Sequence, residues 1–384
     1  MKREVFAKDD PIPGFAGAVR VGGLVFTSGV DGHRDPATNA VDPKTADKVE
    51  EQCERSYGKA IALLEAGGSS AATAVRVDHW TASQEWLPRR TAIRSRLFGK
   101  PAALGSTGIA SKMSGINLVT TALVGVTAAK DKAVLVTGAA YGMPNISSVV
   151  QGGPFLFLSG ARATLHPRGE VPEETPAAFG VQARLTYEIV RDMLADVKAK
   201  PAAHALRFDV YIRNRHCVDE DRAVRAKTLG KVEAVASTFA LPLGMRGEIE
   251  ATTIALAPDR GKKEVRVRDH RGDAAVVAGG GLLFVGECLG AVNPRNGASE
   301  DVLADDADGQ ARRAFDTLEA RLAAAGVGLD RLVRLDAYLR DPYQRERFLD
   351  RARQRLGTAM PALTLAGAEL EGINEVKLCA IAAS

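Results

Sequence analysis

The chain has 384 residues, 46% of them hydrophobic and 26% charged, with 51 basic against 47 acidic side chains. That length exceeds what one hydrophobic core usually fills, so two or three domains are expected, and the composition excludes a disordered chain. Charge this balanced does not imply a surface for nucleic acid or an anionic membrane, four distant cysteines without a CxxC point away from a disulfide scaffold or zinc knuckle, and no apolar run reaches the ~20 residues of a membrane helix.

The N-terminus, MKREVFAKDDPIPG, lacks the apolar segment of a signal peptide, and the protein is read as cytoplasmic. The first predicted element is the strand GGLVFTSGV, residues 22–30, which ends in a turn at Thr27-Ser28-Gly29. A polar loop, DGHRDPATNAVDP, leads into the helix EEQCERSYGKAIALLEAGG. The strand VRVDHW follows, then a second helix ending in RLFG, then closing strands.

The same order then returns twice. GGPFLFLSGA begins at Gly152 and GGGLLFVGEC at Gly279, with the loops HPRGEVPEETP and NPRNGASEDV after them. In the third unit, Ala311, Phe315, Leu318 and Leu322 stand at helical spacing before a stop at Gly326. Ser28, Ser159 and Gly286 are separated by 131 and 127 residues. VRVDHW, LRFDVY and VRLDAY keep those two spacings, as do the glycines Gly99, Gly230 and Gly357. A chance likeness would drift out of step, so the chain is a triplication.

Each unit therefore reads β-β-α-β-α-β-β, an α+β layer with both helices on one face. About 125 residues cannot cover the other face, and three units can hide those faces against one another. The expected architecture is a pseudo-threefold ring with sheets inward and helices outward, divided as 1–131, 132–262 and 263–384. The charged segments TAAKDKAVLV and APDRGKKEVRV are expected to be hinge-like linkers between the units.

Period two places Arg76, Asp78 and Trp80 on one sheet face, and likewise Arg207, Asp209 and Tyr211, and Arg334, Asp336 and Tyr338. Two readings are open: Arg76, Arg207 and Arg334 form a substrate-binding ring for carboxylate ligands, or they are buried ion pairs that orient the units. Ser28 and Ser159 are nucleophile candidates or turn formers. No HExxH or phosphate-loop motif occurs, and no metal is expected.

With GGLVFTSGVDG, the helix after it and the segment ALPLGMRGEIEATTIA in hand, each unit resembles a domain of the YjgF/RidA family, a chorismate-mutase-like fold. That resemblance implies clefts between adjacent units and hydrolysis of enamines or imines without a metal or organic cofactor, an arginine holding the substrate carboxylate and a glutamate positioning water. Matching the closing segments puts Glu248 on the glutamate and Lys377 at its place in the third unit. Glu233, Leu104 or Gly105, and Leu363 then stand at the arginine positions.

The function expected is hydrolysis or deamination of a small nitrogen compound, with Glu248 and Lys377 as catalytic residues and a small-molecule partner only. The alternatives are a non-catalytic binding scaffold and a cyclic-amide hydrolase or chorismatase-like enzyme. A monomeric pseudo-trimer, or a dimer of it, would suffice.

Overall fold

The computed structural model describes residues 1–163, 178–244 and 247–384. The loop HPRGEVPEETP and the pair Met245-Arg246 lie outside the described residues.

The first unit comprises β1 (Arg3–Lys8), β2 (Ala16–Val21), β3 (Leu24–Thr27), β4 (Val30–Asp31), α1 (Val49–Ala66), β5 (Ala74–Thr81), α2 (Leu87–Phe98), β6 (Gly105–Ala110) and β7 (Val119–Val126). The second has β8 (Lys132–Thr137), β9 (Ser147–Gly152), β10 (Phe155–Leu158), α3 (Phe179–Asp196), the single turn α4 (Pro201–His204), β11 (Ala205–Ile212), α5 (Val218–Leu229), β12 (Val235–Ala240) and β13 (Ile249–Leu256). The third has β14 (Glu264–Arg268), β15 (Ala274–Gly279), β16 (Leu282–Leu289), α6 (Ala307–Ala324), β17 (Leu332–Leu339), α7 (Arg345–Leu356), β18 (Ala362–Gly367) and β19 (Val376–Ala383).

The α+β order expected from the sequence is present, with one correction. Each unit opens on an additional strand, because the segments taken as linkers contain β8 and β14, which pair with β9 and β15. Charge misled the reading: both are half-exposed edge strands whose outer face takes polar residues.

Within each unit the R-x-D strand is central. β5, β11 and β17 run parallel to β6, β12 and β18 and antiparallel to β7, β13 and β19. The helices cover one face. On α6 the predicted stripe Ala311, Phe315, Leu318 and Leu322 is buried, the Asp306 side chain caps the start by accepting from the Gly309 N–H at 2.9 Å, and Gly326 at φ +86° stops it. No helix among the described residues is long and apolar enough to cross a membrane.

The opposite sheet faces meet in one core shared by all three units. Phe26 from the first, Phe155 and Phe157 from the second and Phe284 from the third are all at most 2% exposed. The Phe155 and Phe284 rings meet edge-on at 5.8 Å. Each ring contributes about 1.5–3 kcal/mol by leaving water, and only the neighbouring units supply the cover.

Candidate active site

The three arginine–aspartate strands converge beyond that core. Each arginine donates through Nε to its own aspartate, Arg76 to Asp78 at 2.7 Å, Arg207 to Asp209 at 2.8 Å and Arg334 to Asp336 at 2.7 Å. Each also reaches an aspartate of another unit: Arg334 to Asp78 at 2.8 Å, Arg207 to Asp336 at 2.9 Å and Arg76 to Asp209 at 3.9 Å. The pairs thus run in a closed cycle through all three units. Arg76, Arg207 and Arg334 spend their charge on aspartates and line none of the clefts described below, so the substrate-ring reading gives way to the ion-pair reading. Tyr211, Phe239 and Tyr338 stack beyond them and exclude water from that side.

The two serines join units. Ser28 Oγ donates to its own unit's Ala16 carbonyl at 2.6 Å and accepts the N–H of Leu363 at 2.7 Å. Ser159 Oγ donates to the Ser147 carbonyl at 2.6 Å and accepts the Ser106 N–H at 2.8 Å. Both are turn residues with no base beside them. Ser28→Ala and Ser159→Ala are each expected to cost about 1–3 kcal/mol, since each orphans a buried N–H, and to leave turnover per folded molecule unchanged; urea unfolding and an active-fraction assay check both. The third junction has Gly286 in place of the hydroxyl.

Strand register identifies the residues that face the three junctions. Trp80, Tyr211 and Tyr338 stand opposite Thr120, Glu250 and Lys377. The positions that correspond to Lys377 are therefore Thr120 and Glu250, and Glu248 stands two residues outside them.

Thr120 lies where the third unit meets the first, and that junction is filled. Asp31 accepts from Thr120 Oγ1 at 2.7 Å and pairs with Arg345 at 3.1 Å, leaving a space of about 20 Å³.

Lys377 lies where the second unit meets the third, under a cleft of about 240 Å³. Its ammonium is wholly buried and donates to Thr238 O at 2.7 Å, Glu371 at 2.8 Å and Glu287 at 3.0 Å. Burial alone would lower its pKa, but Glu287 and Glu371 raise it. A protonated amine with all three donors committed has no lone pair and no free N–H for a substrate. Lys377 is therefore a bolt between units rather than the catalytic group expected.

Glu250 lies where the first unit meets the second. It is 2% exposed and forms the wall of a cleft of about 250 Å³, together with Arg90, Arg94, Ser106, Asn145 and Arg162. Arg162 Nε donates to the Glu250 carboxylate. Arg94 donates to Ser106 Oγ at 2.9 Å, and its Nε finds no acceptor. Burial raises the Glu250 pKa even though Arg162, Arg90 and Arg76 oppose the rise. Arg94 is lowered to about 10 by burial and by Arg90. A carboxylate poised upward beside surplus guanidinium groups in a small cavity is suited to moving a proton next to an anionic substrate.

Glu248 is elsewhere. It precedes β13, is partly exposed and pairs with Arg213 at 3.0 Å. The sequence match selected the first glutamate of Glu-Ile-Glu because it counted along the chain. The cross-strand position opposite Tyr211, which decides what faces the cleft, belongs to the second. The arginines were missed because they were sought on β6, whereas Arg90 and Arg94 come from α2. Their signal was present, since Ile93 and Arg94 follow Arg90 at i+3 and i+4, and all three are buried on one face of α2.

No family model and no curated protein matches the chain. Among solved structures, a chorismatase crystal structure matches with a TM-score of 0.55 at 13% identity, covering 81% of this chain and 93% of that one. A putative endoribonuclease from Thermotoga maritima matches at 28% identity with a TM-score of 0.29, covering 33% of this chain and 98% of its own. A YjgF/YER057c/UK114 family member from Mycobacterium tuberculosis matches at 23% identity with a TM-score of 0.25, covering 29% and 87%. The structural neighbours are thus YjgF, Rid and L-PSP proteins, each matching about a third of this chain, and a chorismatase whose fold this chain shares.

Proposed function

We propose that the chain, organised as three RidA-like units over 1–131, 132–262 and 263–384, is a cofactor-independent hydrolase of a small, carboxylate-bearing nitrogen metabolite. Its catalytic cleft is the one between the first and second units. The observation that carries this reading is Glu250, a buried carboxylate with a raised pKa that shares a 250 Å³ cleft with Arg90, Arg94 and Arg162. Arg94 receives the substrate carboxylate, which leaves the adjacent C=N carbon near Glu250. Glu250 takes a proton from water as the water oxygen bonds to that carbon. Glu250 passes that proton to nitrogen as the C=N electron pair moves there, giving the carbinolamine; it then carries the remaining hydroxyl proton to the same nitrogen, so that the C–N bond breaks, ammonia leaves and the oxygen becomes the ketone. Arg162 holds the Glu250 carboxylate in place throughout. The four unpaired cysteines fit a reducing compartment.

A second reading is hydrolysis of a cyclic acid, as the name of the chorismatase neighbour suggests. It is favoured by the match over 93% of that enzyme's chain. The test is a panel of 2-imino acids generated in situ, amides and cyclic dicarboxylic acids, with ammonia and organic products measured together. Ammonia released with a keto acid is expected. Hydrolysis without ammonia moves the assignment to the second reading, and saturable binding without turnover makes the cleft a binding scaffold.

A further inference from the structure

The three units provide an internal control for one pair of positions behind the cleft. Because α1, α3 and α6 begin at Val49, Phe179 and Ala307, Tyr57 corresponds to Tyr187 and Phe315. Because α2, α5 and α7 begin at Leu87, Val218 and Arg345, Arg90 corresponds to Asp221 and Phe348. In the second unit the Tyr187 hydroxyl donates to Asp221. In the third, Phe315 and Phe348 stack at 5.9 Å. Both pairs are complete. In the first unit the pair is Tyr57 and Arg90, and it is not: Tyr57 Oη and Arg90 Nε and Nη1 are buried without any partner among the described residues.

The surroundings of Arg90 are shaped for it. An added Cβ on Gly108 would stand 1.7 Å from Arg90 Nη1, so only glycine admits the guanidinium there. The equivalent positions are Thr238 and Leu365, by the pairing of β5, β11 and β17 with β6, β12 and β18. His79 stacks on Tyr57 at 5.1 Å and its Nε2 is also unpartnered. A guanidinium only 5% exposed with no anion beside it is costly. Glu250 is the one acidic group among the described residues lining the cleft, against Arg90, Arg94 and Arg162. Among the described residues, three positive charges face one negative charge in this cleft.

We propose that Arg90, backed by Tyr57 and admitted by Gly108, forms a second anionic subsite in this cleft, so that the ligand is a dicarboxylate with one carboxylate on Arg94 and the other on Arg90. This rests on the cleft assignment above and deepens it. The surplus charge is matched by a dianion, and the ligand's second carboxylate supplies the acceptor that Asp221 supplies to Tyr187 in the second unit. A monocarboxylate would leave one buried guanidinium unsatisfied, which is how such a site discriminates.

The test is calorimetric titration of the full chain with succinate, glutarate and adipate, against butyrate, valerate and inorganic phosphate, without turnover. At least one dicarboxylate is expected to bind tighter than its monocarboxylate counterpart and than phosphate. In Arg90→Met that preference is expected to fall by about 10- to 100-fold, the worth of one charge-assisted contact, while monocarboxylate affinity changes less than about threefold. Gly108→Ala, which keeps the arginine but expels it, is expected to reproduce the loss. Equal binding of mono- and dicarboxylates, phosphate binding as tightly, or a preference that survives in both variants overturns the subsite. Binding is read apart from chemistry, so a dicarboxylate preference in a protein without hydrolytic activity removes the hydrolase reading alone. Keto-acid release with no such preference removes the subsite alone.

Discussion

Glu250→Gln is expected to lower kcat by about 10²- to 10⁴-fold, the range attributed to one positioned general base. The fold should survive. Glutamine keeps the shape, and its amide oxygen can still accept from Arg162, whereas the proton of the attacking water has nowhere to go. The comparison that gives the result meaning is Glu248→Gln, which removes a carboxylate from the edge of β13 and its pair with Arg213. That variant is expected to keep activity within about threefold, since exposed pairs are worth little. Single-turnover measurement of both variants checks the assignment, and the reverse order would return the role to Glu248.

The pH dependence follows from the same group. Burial raises the Glu250 pKa above the ordinary carboxylate value, with Arg162 only partly offsetting it. A general base must be ionised, so kcat is expected to fall as pH drops through this raised value, at a higher pH than an exposed glutamate would give. The acidic limb should vanish from the residual rate of Glu250→Gln.

Fold and site differed in how far they could be read from the sequence, for a physical reason. Strand and helix periods and the 131- and 127-residue spacings are properties of the chain itself. They gave the α+β units, the buried stripe of α6 and the convergence of Arg76, Arg207 and Arg334. What occupies a cleft depends on two units at once. Lys377 alternates with apolar neighbours as a catalytic strand residue would, yet Thr238 of the second unit and Glu287 of its own take up its donors. Arg90 reads as an ordinary helix-surface charge until Gly108, on a strand 18 residues later, is seen to make room for it.

Arg334→Met is expected to destabilise the protein by about 3–5 kcal/mol, the usual cost of breaking a buried ion pair from one side. Methionine keeps most of the apolar stem, so packing loss is small. What remains is charge: Asp336 loses its 2.7 Å contact and Asp78 its 2.8 Å contact, at 2% and 6% side-chain exposure. Each keeps one other arginine, Arg207 for Asp336 at 2.9 Å and Arg76 for Asp78 at 2.7 Å, which is why the fold should weaken rather than fail. Burial alone would raise the Asp78 pKa, but Arg76 and Arg334 bring it below the ordinary aspartate value. A carboxylate depressed by folding adds stability above its unfolded pKa, and this is lost as pH falls through the folded one. The cost of Arg334→Met should therefore be full at neutral pH and shrink below about pH 4, where the unfolded aspartate binds its proton. Arg334→Met with Asp336→Leu should cost less than Arg334→Met alone, because the double change leaves one fewer carboxylate short of its cation. Urea midpoints for the three proteins at pH 7 and at about pH 3 measure all of this. A pH-independent loss, or a double variant weaker than the single one, would mean that the cycle acts through shape and not through charge.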